Sequence, residues 1–283
     1  MVPGPACRRP SANGLSRWAG SHDQPAGGCV LMGEVLGTVG IDRSDLATHA
    51  ILNRPEAANA LNFEMLTSLV DVIAAEADSG TRALVLSGSG GGFSAGADFN
   101  DLTGGGEDRG FDDAVALTAR ALTEAPFPVI AAVEGFAFGA GVDLAWSCDA
   151  VVLSEDARVG VPSTHLGILY NPESLALLHS RIGDRAWRRI VLLGDELDGT
   201  TAFSLGMGEA LAPPGRAVAE AMRLASKAAA GTREAVAATK GFSRAIMERT
   251  ADDPGWQALR MDLLDNPERR EAVLERQRRT KGS

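Results

Sequence analysis

From residue 33 onward, short continuous apolar runs alternate with stretches whose apolar positions recur every three or four residues. Residues 47–52 (ATHAIL) read as a strand. Residues 82–87 (RALVLS) and 128–133 (PVIAAV) are apolar runs of strand length that end in glycine-rich sequence, as buried strands feeding tight turns do. Between the first two, residues 62–77 place Leu66, Leu69, Val70, Ile73 and Ala77 at helical spacing, with Asn62 as N-cap. Strands alternating with amphipathic helices predict an α/β architecture. Beyond residue 184 the pattern turns almost wholly helical: 185–193 closed by Gly194, then 201–205, 216–229, 232–249, 256–264 and 267–279. The predicted organisation is an N-terminal extension (1–31), an α/β core (32–198) and a C-terminal helical region (199–283).

The extension is rich in proline, glycine and arginine and has no acid before Asp23. It reads as disordered. Its composition suits an organelle transit peptide, but Pro3, Pro5 and Pro10 oppose the amphipathic helix such a peptide needs, and Met32 is an alternative start.

Composition narrows the chemistry. The 283 residues carry a formal charge of −10 with no long Lys/Arg block, which argues against a nucleic acid partner. Cys7, Cys29 and Cys148 are widely spaced, with four histidines to assist them, so neither a disulfide framework nor a metal site is expected. A reducing cytoplasm fits this usage. No apolar run is long enough to span a membrane.

Residues 92–96 (GFSAG) match the G-x-S-x-G pattern of a serine-hydrolase elbow. Five residues separate Ser87, where the strand ends, from Phe93, and the DLTGGGEDRG segment soon afterwards reads as loop; the pattern requires a strand directly before the serine and a helix directly after it. The last histidine is His179, so the usual order of partners fails too. Gly88 and Gly90 would need a third glycine where Phe93 stands, which excludes the dinucleotide fingerprint. What remains is two small-residue turns, 93–98 (FSAGAD) and 135–145 (GFAFGAGVDLA), each following a buried strand, the second opening a helix near Ala140. Such turns either bring two backbone amides onto one ligand oxygen or simply permit tight packing.

Taken in order, LNRPEAANAL (52–61), GGFSAGADFNDL (91–102) and AAVEGFAFGAGVDLAWSCDAVVLSEDARVGVP (131–162) resemble the enoyl-CoA hydratase/isomerase (crotonase) family over about residues 45–275. The resemblance implies a spiral of repeated ββα units, a C-terminal helical trimerisation region, and a homotrimer or dimer of trimers. It implies an acyl thioester of coenzyme A as ligand, coenzyme A entering as part of the substrate and no tightly bound cofactor. The family's oxyanion amides fall on Ala97 and Ala140, which serve if their backbones stay at negative φ. Coenzyme A would lie along Ala57 and Asn59 and along Ala95, Gly96, Asp98 and Phe99. Lys240 stands as either a phosphate contact or a solvated helix residue.

The acid–base positions depart from the pattern. Where the family's hydratases carry two glutamates, this chain has Asp143 and Ser163. Asp143 keeps a carboxylate on a shorter stem, and Ser163 has none. A further acid found in some relatives is Asn171 here, which has no titratable proton. Glu173 reads as the second residue of the next helix, behind Asn171 as N-cap and Pro172. His165 and Tyr170 flank the same wall as possible proton donors, and Cys148 is read as a buried mid-helix residue. The loop around 103–111 is expected to set acyl length. Two functions stand: a lyase or isomerase using Ala97, Ala140 and Asp143, or a non-catalytic acyl-CoA carrier, with Ser163 and Asn171 in its groove.

Overall fold

The computed structural model describes residues 16–18, 33–44 and 47–281. The remaining positions of the 1–31 extension lie outside the described residues. Ser16–Trp18 form an edge strand, β1, paired antiparallel with β2 (Gly33–Leu36). A meander through β3 (Val39–Arg43) leads to β4 (Thr48–Leu52), buried along its whole length. From there the sheet is parallel. Helix α1 (Phe63–Ser79) returns the chain to β5 (Leu84–Gly88), and α2 (Arg109–Glu124) returns it to β6 (Val129–Val133). The short β7 (Phe136–Phe138) follows, then α3 (Ala140–Ser147), β8 (Ala150–Ser154), β9 (Arg158–Gly160) and α4 (Pro172–Trp187).

The larger sheet runs β1-β2-β3-β4-β5-β6-β8, and β11 (Ala210–Ala212) completes it beside β8. A second layer joins β7 to β9 and to β10 (Leu197–Asp198), and single bridges Leu61–Ala97 and Ser94–Ala137 extend it. Each strand of the parallel region thus sends its chain through a turn in this second layer before the next helix. That is the repeating ββα spiral.

The periodicity that predicts α1 is the one that buries Met65, Leu66, Leu69, Val72 and Ile73, and Asn62 caps the helix by accepting from Met65 N at 2.9 Å. The sequence pattern missed α2: Phe111, Val115, Ala119 and Leu122 face the core from a helix that begins inside the segment read as loop. Helix α3 is buried on every side. Cys148 is not within it but caps its C-terminal end, and burial pushes its thiol up.

The C-terminal helices follow the predicted pattern closely: α5 (Gly199–Ser204), α6 (Ala217–Ala228), α7 (Arg233–Met247), α8 (Gly255–Asp265) and α9 (Pro267–Lys281). Helix α6 covers the outer face of the sheet, laying Ala217, Ala221 and Ala225 against Val85, Ile130 and Val152. No described helix is long and apolar enough to cross a membrane.

Candidate active site

Three turns in the second layer are stitched together by backbone hydrogen bonds. Leu61 N donates to Gly96 O at 2.7 Å, Ala95 N to Ala58 O at 3.0 Å, and Phe138 N to Ser94 O at 2.9 Å. Asn59, left-handed at φ 52°, locks the first turn to the second, accepting from Arg54 N and donating to Ser89 O (2.7 Å) and Gly92 O (2.9 Å). Ser94 Oγ is fully buried, donating to Asn59 O at 2.8 Å and accepting from Gly96 N at 3.1 Å. It is part of the turn's bracing, with no base beside it, so the hydrolase elbow is excluded by geometry as well.

Gly96 (φ 93°) and Gly139 (φ 53°) hold the strained positions just before Ala97 and Ala140. A Cβ on Gly96 would stand 2.6 Å from Phe138 O, and one on Gly139 2.9 Å from the Tyr170 hydroxyl. Because the glycines take the left-handed turns, neither alanine does. Among the described residues, neither Ala97 N–H nor Ala140 N–H donates to a protein acceptor. Both alanines line one cavity of about 420 Å³, and Ala140 stands at the N-terminus of α3, where the helix dipole favours negative charge.

The cavity has an apolar wall of Leu102, Phe111, Val115, Leu166 and Leu169, and a polar side with Asp112, Asp143 and Tyr170. Asp143 projects from the first turn of α3, is 6% exposed, and its Oδ1 has no hydrogen-bond partner. Burial, and behind it the charge of Asp112, push its carboxyl up to about 7. Asp112 lies on α2, one residue from the core-facing Phe111. Burial raises its pKa, and the backbone N–H of Asn171 works against that rise. Burial, then Asp143 and Asp112, push the Tyr170 phenol up.

The structure brings Asp143 and the two alanines together in one cavity lining and adds Asp112, which the sequence reading did not name. The signal was the spacing of Phe111, Val115 and Leu122, obscured by the glycines at 104–106 and 110.

Of the residues read as coenzyme A contacts, Ala95, Gly96 and Phe99 line the cavity, with Phe99 67% exposed at its mouth. Asn59 and Asp98 do not line it. The Asn59 side chain is consumed by the turn, and Asp98 pairs with Arg54 at 2.9 Å and caps Asn100 N, so these side chains brace the loop. Ala57 closes a 3-10 turn over Pro55–Ala57, also outside the cavity. Ser163 is 3% exposed and does not line the cavity. Asn171 Oδ1 caps α4 at Glu173 N (2.9 Å), so its side chain is a helix cap. Glu173 is exposed and paired with Arg120 at 2.8 Å, away from the cavity. His165 is exposed beside Gly194, leaving Tyr170 as the proton-bearing side chain of that wall.

Lys240 matches neither reading made for it. Its Nζ is paired with Asp149 at 2.7 Å and donates to Leu122 O (2.9 Å) and Phe127 O (3.0 Å), fastening α7 to the C-terminal end of α2. With the lysine 10% exposed, Lys240→Met is expected to cost about 2 kcal/mol of stability. Acyl-CoA affinity should be unchanged, and thermal melts beside a ligand titration check both.

Fold and cavity together define an α/β spiral protein whose cavity is lined by a buried acid and by two alanines whose backbone amides have no protein acceptor among the described residues. The family model for enoyl-CoA hydratase/isomerase matches residues 48–270, and the chain belongs to that family. It is 34% identical over 198 residues to the 2,3-dehydroadipyl-CoA hydratase of Escherichia coli, covering 70% of this chain and 78% of that protein. It is 31% identical to the mitochondrial enoyl-CoA hydratase of Pongo abelii, covering 70% and 69%. The crystal structure of enoyl-CoA hydratase from Thermoplasma volcanium superposes with a TM-score of 0.76 at 26% identity, over 84% of this chain and 97% of that one.

Proposed function

We propose that the protein is an acyl-CoA enzyme of the hydratase/isomerase type, which holds the thioester oxygen between Ala97 N–H and Ala140 N–H and moves a proton at the adjacent carbon with Asp143. The observation that carries this reading is the unpartnered Oδ1 of a buried aspartate lining the same cavity as two unpaired amides. A buried carboxyl without a hydrogen bond costs stability, and a protein that only carried acyl-CoA would have no use for it. As an enolate forms, negative charge grows on the thioester oxygen, and each fixed N–H aimed there contributes about 3 kcal/mol. A carboxyl poised near pH 7 can both give and take the proton.

Titration with crotonyl-CoA and a long-chain acyl-CoA, followed by mass spectrometry of the same samples, tests the proposal. A mass gain of one water or a shifted double bond supports it; tight binding with the thioester recovered unchanged supports the carrier.

The cavity's charge also sets a preference. Asp108, Asp112 and Asp143 line it, while the cation among its lining residues, Arg109, has a side chain 85% exposed and faces Asp113. A second carboxylate at the end of the acyl chain would meet like charge, worth about 1–2 kcal/mol at an effective dielectric of about 20. Uncharged enoyl-CoA substrates are therefore expected to exceed dicarboxylic ones by about tenfold in kcat/KM, measured side by side. By family resemblance the protein is expected to assemble as a trimer or dimer of trimers, and a stable monomer in light scattering would contradict that expectation.

A further inference from the structure

Hydration of a carbon–carbon double bond needs a base for the water and an acid for the neighbouring carbon, and Ser163 stands where the family resemblance leads one to expect the second carboxylate. We infer that Asp112, on α2, supplies it, acting as the base for water while Asp143 is the acid. This inference rests on the enolate reading above and extends it to hydration.

The geometry narrows the choice. The carboxyl side chains lining the cavity are Asp108, Asp112 and Asp143. Asp108 is committed to the loop before α2, accepting from Thr103 N at 2.7 Å, Thr103 Oγ1 at 2.8 Å and Gly104 N at 2.9 Å. Glu173 is held outside by Arg120. Asp112 remains, on the helix that packs against α3 and so faces Asp143 from the opposite element.

The environments of the two aspartates divide the roles. Burial raises the Asp112 carboxyl, and the nearby Asn171 backbone N–H works against that rise by favouring the carboxylate form. Asp143 is buried deeper, and its Oδ1 has no donor to stabilise a charge. Burial raises both, but only Asp143 lacks any donor for its Oδ1, so Asp112 is the one better able to carry the charge of a base and Asp143 the one better kept as the acid.

In the forward step, the Asp112 carboxylate takes a proton from water as its oxygen bonds to the β-carbon. The double-bond electrons move into the thioester, whose oxygen is held by the Ala97 and Ala140 amides. The enolate then collapses and the α-carbon takes the proton from Asp143. One water has been added, and the proton on Asp112 returns to Asp143 through solvent.

The test separates the two aspartates. The full-length protein and its Asp112→Asn and Asp112→Glu variants are incubated with crotonyl-CoA to read hydration, and with butyryl-CoA in heavy water to read exchange of the α-proton. Exchange needs the amides and Asp143 but no attacking water. Asp112→Asn is expected to lose hydration by about 10²-fold or more, with exchange kept within a few-fold of wild type. Asp112→Glu, which keeps a carboxylate, should hydrate faster than Asp112→Asn. Hydration by Asp112→Asn at the wild-type rate would overturn the assignment, as would parallel loss of both reactions in both variants. A wild-type protein that exchanges but does not hydrate would overturn Asp112 and leave the enolate reading standing; one that does neither would remove that reading itself.

Discussion

Asp143→Asn is expected to lower turnover of an acyl-CoA substrate by about 10²–10⁴-fold while leaving acyl-CoA affinity nearly unchanged. Asparagine keeps the shape of the side chain and removes only the transferable proton. The same change is expected to make the protein more stable at pH 8. In the folded state burial holds the Asp143 carboxyl protonated up to about pH 7, whereas in the unfolded chain it ionises near 4. The folded state therefore binds the proton more tightly. The stability this contributes is full below pH 4 and is lost progressively as pH rises to about 7. Asparagine has no proton to lose, so the variant should exceed wild type by a few kcal/mol at pH 8 and match it near pH 4. Thermal melts at the two pH values check this. A variant that is inactive and also less stable at pH 8 would show that Asp143 is a structural acid.

Ala140→Pro is expected to be the second large effect, a loss of about 10²–10³-fold in kcat. Ala140 is the first residue of α3, and the preceding Gly139 carries the strained backbone angle. Proline is tolerated at the first position of a helix, because the N–H it lacks makes no bond within the helix. What the substitution removes is the free amide facing the cavity. Ala140→Ser keeps that amide and should stay near wild type. Equal rates for the proline and serine variants would show that the Ala140 N–H does not touch the reacting thioester.

The turns that build the cavity were legible in the sequence because their requirement is local. A glycine must stand where the chain turns left-handed, and Gly96 and Gly139 stand immediately before the alanines whose amides are left unpaired. Helix α1, its Asn62 cap and the Asn171 cap of α4 were legible for the same reason. What was not legible depends on contacts far apart in the chain. Lys240 reads as a solvated helix residue until α7 is laid against α2, where Leu122 O, Phe127 O and Asp149 surround its ammonium group. Glu173 reads as a helix-start residue, and the sequence does not show that Arg120, 53 residues earlier, meets it across the surface. Asp112 belongs to a helix whose start is hidden behind glycines, and nothing local marks it as facing Asp143. The departure at Ser163 was visible from the sequence, but what offsets it was not.

The deviation of the acid–base set from the two-glutamate pattern fits the energetics of the cavity. Asp143, one methylene shorter than glutamate, sits wholly within the buried α3 and is raised by burial to about 7 without help from a hydrogen bond. Its carboxyl is costly to keep in place, a cost the proposed proton transfer would explain.

The most direct test of the central claim is deuterium incorporation at the α-carbon of butyryl-CoA, followed by mass spectrometry in heavy water with wild type and Asp143→Asn. The account predicts steady incorporation by wild type, rising as pH passes through about 7 as Asp143 becomes a base, and none above background in the variant. Absence of incorporation by wild-type protein saturated with butyryl-CoA, or undiminished incorporation by Asp143→Asn, would contradict it.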